Sequence, residues 1–156
     1  MGLNYYQIKK NVLQARKLVI RGTSMAGSGH PGGSFSMAEI MGCIFYNYLK
    51  YDPKNPEWED RDKLILSKGH ASPGLFSNMA VAGYFEESQL DTLRQFGSKL
   101  QGHPDLKCPG VEFCGGSLGI GLSYSCFLYT SDAADDLLCV DLVGRRIIKK
   151  KKNKKN

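Results

Sequence analysis

The sequence predicts an α/β fold, and three observations point to it. The first is an amphipathic helical pattern over residues 5–21, in which five residues recur at helical spacing: Tyr5, Ile8, Val12, Ala15 and Val19. The second is the short apolar run at residues 63–67, which is typical of a buried strand that leads into a loop. The third is the alternation of helical and strand-like segments along one chain, which favours the α/β class.

The segments between the first helix and the strand-like run follow from local signals. Residues 22–34 ("GTSMAGSGHPGGS") interrupt the helical pattern and are predicted to form a loop. Ser36 and Glu39 have the spacing of a capping box, which predicts a second helix that runs to about Leu49. Residues 51–62 ("YDPKNPEWEDRD") form a polar, proline-broken connector.

Two more helices and a long glycine-rich loop are predicted in the second half of the chain. The helices span residues 73–82 and 87–96, and Ser88 followed by Asp91 resembles an N-terminal cap of the latter. Residues 97–121 are rich in glycine and are predicted to form a loop. Residues 116–126 ("GSLGIGLSYSC") enter a helix in this interpretation.

Composition limits the class of protein. The 156 residues suffice for one domain, and no run of about 18 apolar residues predicts a membrane span. The first residues lack the apolar core of a signal peptide, so we expect a cytoplasmic protein whose five cysteines are reduced. Of the net charge of +6, residues 127–156 supply eight basic and four acidic side chains, hence +4. The rest of the chain therefore gives little reason to expect nucleic-acid binding.

All three histidines follow a glycine in a predicted loop. His30 lies in "SGHPGG", His70 in "SKGHASPG" and His103 in "QGHPD". Glycine allows a ligand or backbone to approach closely, and imidazole transfers protons near neutral pH and binds hydroxyl or phosphate oxygens. Each histidine alone is also compatible with an ordinary structural role. A metal site is disfavoured, because neither carboxylate nor cysteine accompanies the histidines at helical ligand spacing.

A second candidate binding segment is "GGSLGIG", residues 115–121. A glycine-rich loop that opens a helix is a weak indication of phosphate binding. The segment lacks the lysine of a P-loop and does not match the dinucleotide fingerprint. The alternative is a site of tight packing between loop and helix.

Taken together, "SGHPGGSFSMAEI", "YDPKNPEWEDRDKLILSKGHASPGLF", "GHPD" and "GGSLGIGLS" resemble the N-terminal, diphosphate-binding region of transketolases. The resemblance runs from about Gln7 to about Ser125, with its motifs in the family's order. The chain begins at the first helix, as in the stand-alone N-terminal subunits of split transketolases. In such systems, a second polypeptide supplies the pyrimidine-binding and C-terminal domains.

The resemblance implies a thiamine-diphosphate-binding fold, here truncated and incomplete, with a parallel sheet flanked by helices. It implies transfer of a two-carbon ketol unit from a ketose phosphate to an aldose phosphate, with thiamine diphosphate and Mg²⁺ as cofactors. The cofactor serves as electron sink while the protein orients it and handles protons. The resemblance assigns catalytic roles to His30, His70 and His103, and contacts with the cofactor to His70, Gly116 and Leu118. It also implies a C-terminal transketolase subunit as partner, in a homo- or hetero-oligomer.

The resemblance stops near residue 126. Family members continue with a strand that ends in "GDG" and a later asparagine, which hold Mg²⁺, and neither motif is present here, so we assign no metal ligand. Residues 127–156 end in "IIKKKKNKKN" and resemble the translation of a sequencing adaptor followed by adenine-rich sequence. We expect a domain at residues 1–126 and an unrelated, artefactual basic segment at 127–156, disordered at its end. The alternative is a natural basic tail, either solvated or in contact with a polyanion.

Three functional hypotheses follow. The first is a fragment of a transketolase that is functional in its complete form with a C-terminal partner. As it stands, this fragment is expected to be poorly stable and inactive and to bind thiamine diphosphate weakly or not at all. The second is a related ketol transferase that resembles dihydroxyacetone synthase and uses the same cofactor. The third is a non-catalytic fragment whose basic tail binds a polyanion.

Overall fold

A computed structural model describes residues 4–136 of the chain, and for residues 132–136 it describes the backbone alone. The described part is helical. Its helices are α1 (Tyr5–Met25), α2 (Pro31–Phe35), α3 (Ala38–Cys43), α4 (Ser72–Ala82) and α5 (Ile120–Asp136). Shorter turns are the π-helical turn Ile44–Tyr48, which continues α3, and the 3₁₀ turns Gly69–Ala71 and Glu87–Thr92.

Helix α1 begins at a side-chain cap and buries one face. The Asn4 side chain accepts a hydrogen bond from the Gln7 backbone N–H at 2.9 Å, which satisfies one of the free donors of the first turn. The buried face consists of Val12, Ala15, Leu18, Val19 and Gly22. The predicted apolar stripe is therefore correct at its centre, whereas Tyr5 is 80% exposed.

Helix α4 is the central element of the described fold. Its residues 72–80 are all buried, as expected of a helix whose sequence has no polar face. Pro73 lies in the first turn, where its missing N–H costs nothing, and Gly83 ends the helix in a left-handed conformation with φ of 94°. Helices α1, α2 and α3 all pack against α4.

The core around α4 is mostly apolar, and the largest of its buried polar side chains is hydrogen-bonded. Asn78 is buried, donates to the Gly74 carbonyl at 2.8 Å and accepts from the Tyr46 hydroxyl at 3.2 Å. These bonds offset the cost of removing the amide from water. The apolar core includes Leu18, Met37, Met41, Phe45, Leu75, Phe76, Met79, Leu90, Leu93 and Leu100.

The predicted α/β class is wrong for the described residues, because residues 4–136 contain no strand. The strand-like run at 63–67 has no regular secondary structure, and residues 64–67 are only half-buried. A strand exists through hydrogen bonds to a neighbouring strand, and no described segment pairs with this run in a ladder. The parallel sheet flanked by helices, expected from the resemblance to thiamine-diphosphate-binding folds, is therefore not what these residues form.

The capping box predicted at Ser36 is also wrong. Ser36 follows the last residue of α2, and its hydroxyl donates to the Gly33 carbonyl at 3.0 Å. Glu39 forms an ion pair with Arg16 of α1 instead of reaching back to the backbone. The predicted loop at 22–34 is likewise helical at both ends, since it contains the last turn of α1 and the start of α2.

The chain divides into two compact units, Met1–Leu122 and Ser123–Asn156. The first unit contains α1 to α4 and the three histidines, and the second contains most of α5. Of the segment that we expect to be artefactual, residues 127–136 belong to α5, and residues 137–156 lie outside the described residues. Among the described helices, none has the length and apolar character to cross a membrane.

Candidate functional site

His30 and His70 lie side by side although forty positions separate them in the sequence. Their imidazole centroids are 5.4 Å apart, and the rings are tilted by 50°. His30 is the residue that precedes α2, and His70 lies in the 3₁₀ turn that leads into α4. Because α2 packs on α4, the two elements bring these rings together.

His103 joins the same region through Gly69. A Cβ at position 69 would lie 3.0 Å from Cδ2 of His103, so the ring contacts the backbone directly before His70. The Ser72 hydroxyl donates to the Gln101 carbonyl at 3.0 Å and holds the loop of His103 against the start of α4. The structure therefore brings the three sequence-predicted histidines to one place.

The glycine-rich loop 115–121 packs against the loop that contains His70. A Cβ at Gly69 would lie 1.8 Å from the Gly115 carbonyl oxygen, a separation that only glycine permits. The Gly121 backbone N–H donates to the Ser67 hydroxyl at 3.2 Å, and a Cβ at Gly121 would lie 2.7 Å from Ser67 Cβ. The packing alternative considered for this loop therefore holds for Gly121.

The two other residues predicted to contact the cofactor are open to a ligand. A Cβ at Gly116 would meet no atom within 4 Å, and Leu118 is 72% exposed. Gly32, beside His30, is equally open. Gly32, Gly116 and Leu118 are thus accessible from solvent, whereas Gly69 and Gly121 are closely packed.

Lys68 is a functional candidate that the sequence interpretation missed. Its ammonium group donates to the Gly33 carbonyl and to the Ser36 hydroxyl, each at 2.8 Å. Gly33 itself faces the His70 ring, since a Cβ there would lie 3.3 Å from Nε2. In the sequence, its position two residues before His70 was the one indication that Lys68 belongs to this site.

Arg94 is a second residue that sequence patterns did not indicate. It has a left-handed backbone with φ of 61°, and its N–H donates to the Leu100 carbonyl at 2.8 Å. A Cβ at Gly102 would lie 3.3 Å from Cζ of Arg94, so the guanidinium packs on the residue before His103. A non-glycine residue in this conformation is uncommon and is often found at functional sites.

The chemistry of the site is that of exposed imidazoles, without a cluster of metal ligands. His30 and His103 are exposed, and His70 is half-buried, so a ligand can reach all three imidazoles. Among the side chains of residues 4–131, no group of three or more histidine, cysteine, aspartate or glutamate residues could hold a metal ion. The described residues therefore do not fit Mg²⁺, and we assign no step to it.

Comparison with known proteins identifies the family of this chain. A model of the family described as "Transketolase, thiamine diphosphate binding domain" matches residues 8–136. The 6-deoxy-6-sulfo-D-fructose transketolase subunit SqwG of Clostridium sp. (strain MSTE9) is 42% identical over 118 residues, which are 75% of this chain and 42% of that subunit. Human transketolase is 40% identical over 119 residues, which are 76% of this chain and 19% of the human protein.

Solved transketolase structures are also similar to this chain. The enzyme from Leishmania mexicana superposes with a TM-score of 0.77 at 31% identity, over 85% of this chain and 20% of that one. The Campylobacter jejuni enzyme gives 0.71 at 36% identity, over 78% and 19%. The chain thus spans less than half the length of each of these relatives. The family match covers most of the sequence, and the chain belongs to the transketolase thiamine-diphosphate-binding domain family.

Proposed function

We propose that this chain supplies the histidine-bearing part of a transketolase active site. The reaction is the transfer of a two-carbon ketol unit from a ketose phosphate to an aldose phosphate. The observation that carries the proposal is the convergence of His30, His70 and His103 beside the loop 115–121. Family membership supports thiamine diphosphate as the cofactor.

In this proposal, each group has a role that suits its position. Thiamine diphosphate, when bound, supplies the electron sink that allows a C–C bond next to a carbonyl to break. Gly116 and Leu118 would border it, and His70 would contact its diphosphate. His30 and His103, which are both exposed, would hydrogen-bond the sugar hydroxyls and move protons to and from them.

A second protein surface must cover this site during the reaction. His30, His103, Gly116 and Leu118 all face solvent, whereas ketol transfer requires that water be kept from a reactive intermediate. We therefore propose that a transketolase C-terminal subunit is the partner and that this chain alone transfers ketol groups poorly. We also propose a cytoplasmic location, because the four cysteines within residues 4–136 are free thiols.

The test is ketol transfer by residues 1–125 joined to the continuation of a transketolase N-terminal domain, which supplies the Mg²⁺ ligands that the described residues lack. This protein is mixed with a C-terminal subunit, thiamine diphosphate and Mg²⁺. We expect activity in that mixture and little in the 156-residue chain, alone or with the subunit. In the mixture, His70→Ala and His103→Ala should each lower kcat/KM by about 10² to 10⁴, the usual contribution of a positioned acid or base. Lys54→Ala, an exposed change in the connector, is the matched control and should retain full activity. Histidine variants with unchanged kcat/KM would refute the site.

A second candidate substrate is favoured by one relative. SqwG is named as a subunit of a 6-deoxy-6-sulfo-D-fructose transketolase, and it is 42% identical to this chain. A ketose with a terminal sulfonate in place of the phosphate is therefore an alternative donor. The histidines would act near the carbonyl end, which both donors share, so they do not separate the two. The ratio of kcat/KM for 6-deoxy-6-sulfo-D-fructose and fructose 6-phosphate decides between them.

A further inference from the structure

We propose that Lys68 is a positioning residue, which holds the segment after His30 against the loop of His70. Its ammonium group reaches across 35 sequence positions to the Gly33 carbonyl and lies 2.8 Å from that oxygen. It also donates to the Ser36 hydroxyl at 2.8 Å. Ser36 in turn donates to the same Gly33 carbonyl, so three groups form a closed set of hydrogen bonds.

Helix α2 needs such support because it has little of its own. It consists of five residues, fewer than an isolated helix requires in water. His30 precedes the helix without making a side-chain cap, so no bond of its own side chain fixes it there. A lysine at the carboxyl end of a helix satisfies a free carbonyl and interacts favourably with the helix dipole.

The same glycine is held from two sides by one loop. Lys68 binds the Gly33 carbonyl, and the His70 ring lies against Gly33 Cα, where a Cβ would be 3.3 Å from Nε2. The ion pairs within the described residues do not include Lys68, so its ammonium acts as a hydrogen-bond donor to neutral groups. The distance between His30 and His70 therefore depends on Lys68.

The inference rests on the proposed function only in treating these two imidazoles as the groups that meet the ligand, and its test does not require activity. The full 156-residue chain is labelled with ¹³C and ¹⁵N at histidine, so that only three imidazole rings are observed. The measurement is the NOE cross-peak between the His30 and His70 ring protons. Variants are Lys68→Met, Lys68→Arg and, as the matched control on the exposed side of α1, Lys10→Met.

We expect Lys68→Met to reduce the His30–His70 cross-peak to less than half of its original intensity. Lys68→Arg, which also donates to two acceptors, should restore it, and Lys10→Met should leave it unchanged. An unchanged cross-peak in Lys68→Met would overturn the proposal. Should that variant not fold, Ser36→Ala removes one acceptor and should weaken the same cross-peak, and full intensity there would count equally against Lys68.

The proposal and the proposed function can fail separately. If the cross-peak depends on Lys68 but the histidine variants keep full ketol transfer with the partner subunit, the positioning role stands and the proposed function is wrong. If the cross-peak does not depend on Lys68 while the histidines are required for ketol transfer, the positioning role is wrong and the proposed function stands.

Discussion

Gly69 and Gly115 meet backbone to backbone. A Cβ at position 69 would lie only 1.8 Å from the Gly115 carbonyl oxygen and 2.9 Å from its carbonyl carbon. No side-chain rotation relieves such an overlap, because both obstructing atoms belong to the main chain. The loop that contains Gly116 and the loop that contains His70 are therefore joined at a place where only glycine fits.

The first prediction concerns this contact. Gly69→Ala should destabilise the chain by about 2 kcal/mol or more, since one loop must move to admit the methyl group. The control is Gly116→Ala, at a position where a Cβ would meet nothing within 4 Å. It should change stability by less than about 0.5 kcal/mol. Urea denaturation of both variants checks this, and equal effects would show that the two loops do not pack as described.

The second prediction concerns the ion pair between Arg61 and Glu112. Only 9% and 13% of these side chains are exposed. Arg61→Met should cost about 3–5 kcal/mol, because the buried carboxylate of Glu112 would lose the positive charge that offsets its removal from water. The double change Arg61→Met with Glu112→Gln should recover much of that loss. A double variant as unstable as the sum of the two single ones would contradict a coupled pair.

The third prediction tests the core around α4. Phe76 is fully buried in the centre of that helix, so Phe76→Ala should cost about 3–5 kcal/mol. Phe96 is fully exposed, and Phe96→Ala should change stability by less than about 0.5 kcal/mol. Thermal denaturation of both variants is the measurement. A small effect at Phe76 would mean that α4 is not the centre of the fold.

The fourth prediction is a loss of stability at alkaline pH. Burial raises the pKa of the Cys108 thiol from 9.0 to about 11, with Lys99 acting against this and Asp105 adding to it. Between pH 9 and about 11 the folded chain keeps a proton that the unfolded chain loses, so stability falls as pH rises through this window and is fully present below it. Burial likewise raises the pKa of Tyr84 from 10.0 to about 12, which extends the loss upward.

Urea midpoints between pH 8 and 11 test the contribution of Cys108. Cys108→Ala should flatten the decline between pH 9 and 11 but leave the part due to Tyr84, Tyr46 and Tyr51, whose pKa values burial also raises. Cys43→Ala, at an exposed cysteine, should retain the full decline. If Cys108→Ala kept the same slope as the parent chain, the thiol would not be the group responsible.

Local patterns predicted α1 and α4 well, whereas the helix predicted at 87–96 is only the 3₁₀ turn Glu87–Thr92. The apolar spacing located α1, and the span 73–82 differs from α4 by one residue at its start. Both helices are long enough for their apolar periodicity or overall burial to outweigh local signals in the sequence. By contrast, Ser36 and Glu39 had the right spacing for a capping box, yet tertiary partners, Lys68 and Arg16, engage them instead. A spacing signal does not include partners from elsewhere in the chain.

The residues of the candidate site could be selected from the sequence, but the contacts that support them could not. The three Gly-His segments could be recognised from sequence and from their resemblance to transketolases, and they do converge. The support from Lys68 and Arg94 could not be recognised, since it depends on which carbonyl and which glycine lie opposite in space. The strand prediction at residues 63–67 was wrong for a related reason, because strand formation depends on pairing with a second segment and not on apolar character alone.

The convergence of loops from residues 30 to 121 has a thermodynamic consequence. No short stretch of the chain contains more than one of the three histidines, so the unfolded chain presents no comparable binding surface. A ligand that occupies this site binds the folded state alone, and its binding energy adds to folding stability. The melting temperature should therefore rise with ligand concentration. At one hundred times the dissociation constant, the ligand adds about 2.7 kcal/mol to the free energy of unfolding. The melting temperature thus measures how much of the site is occupied, even where no ketol transfer occurs.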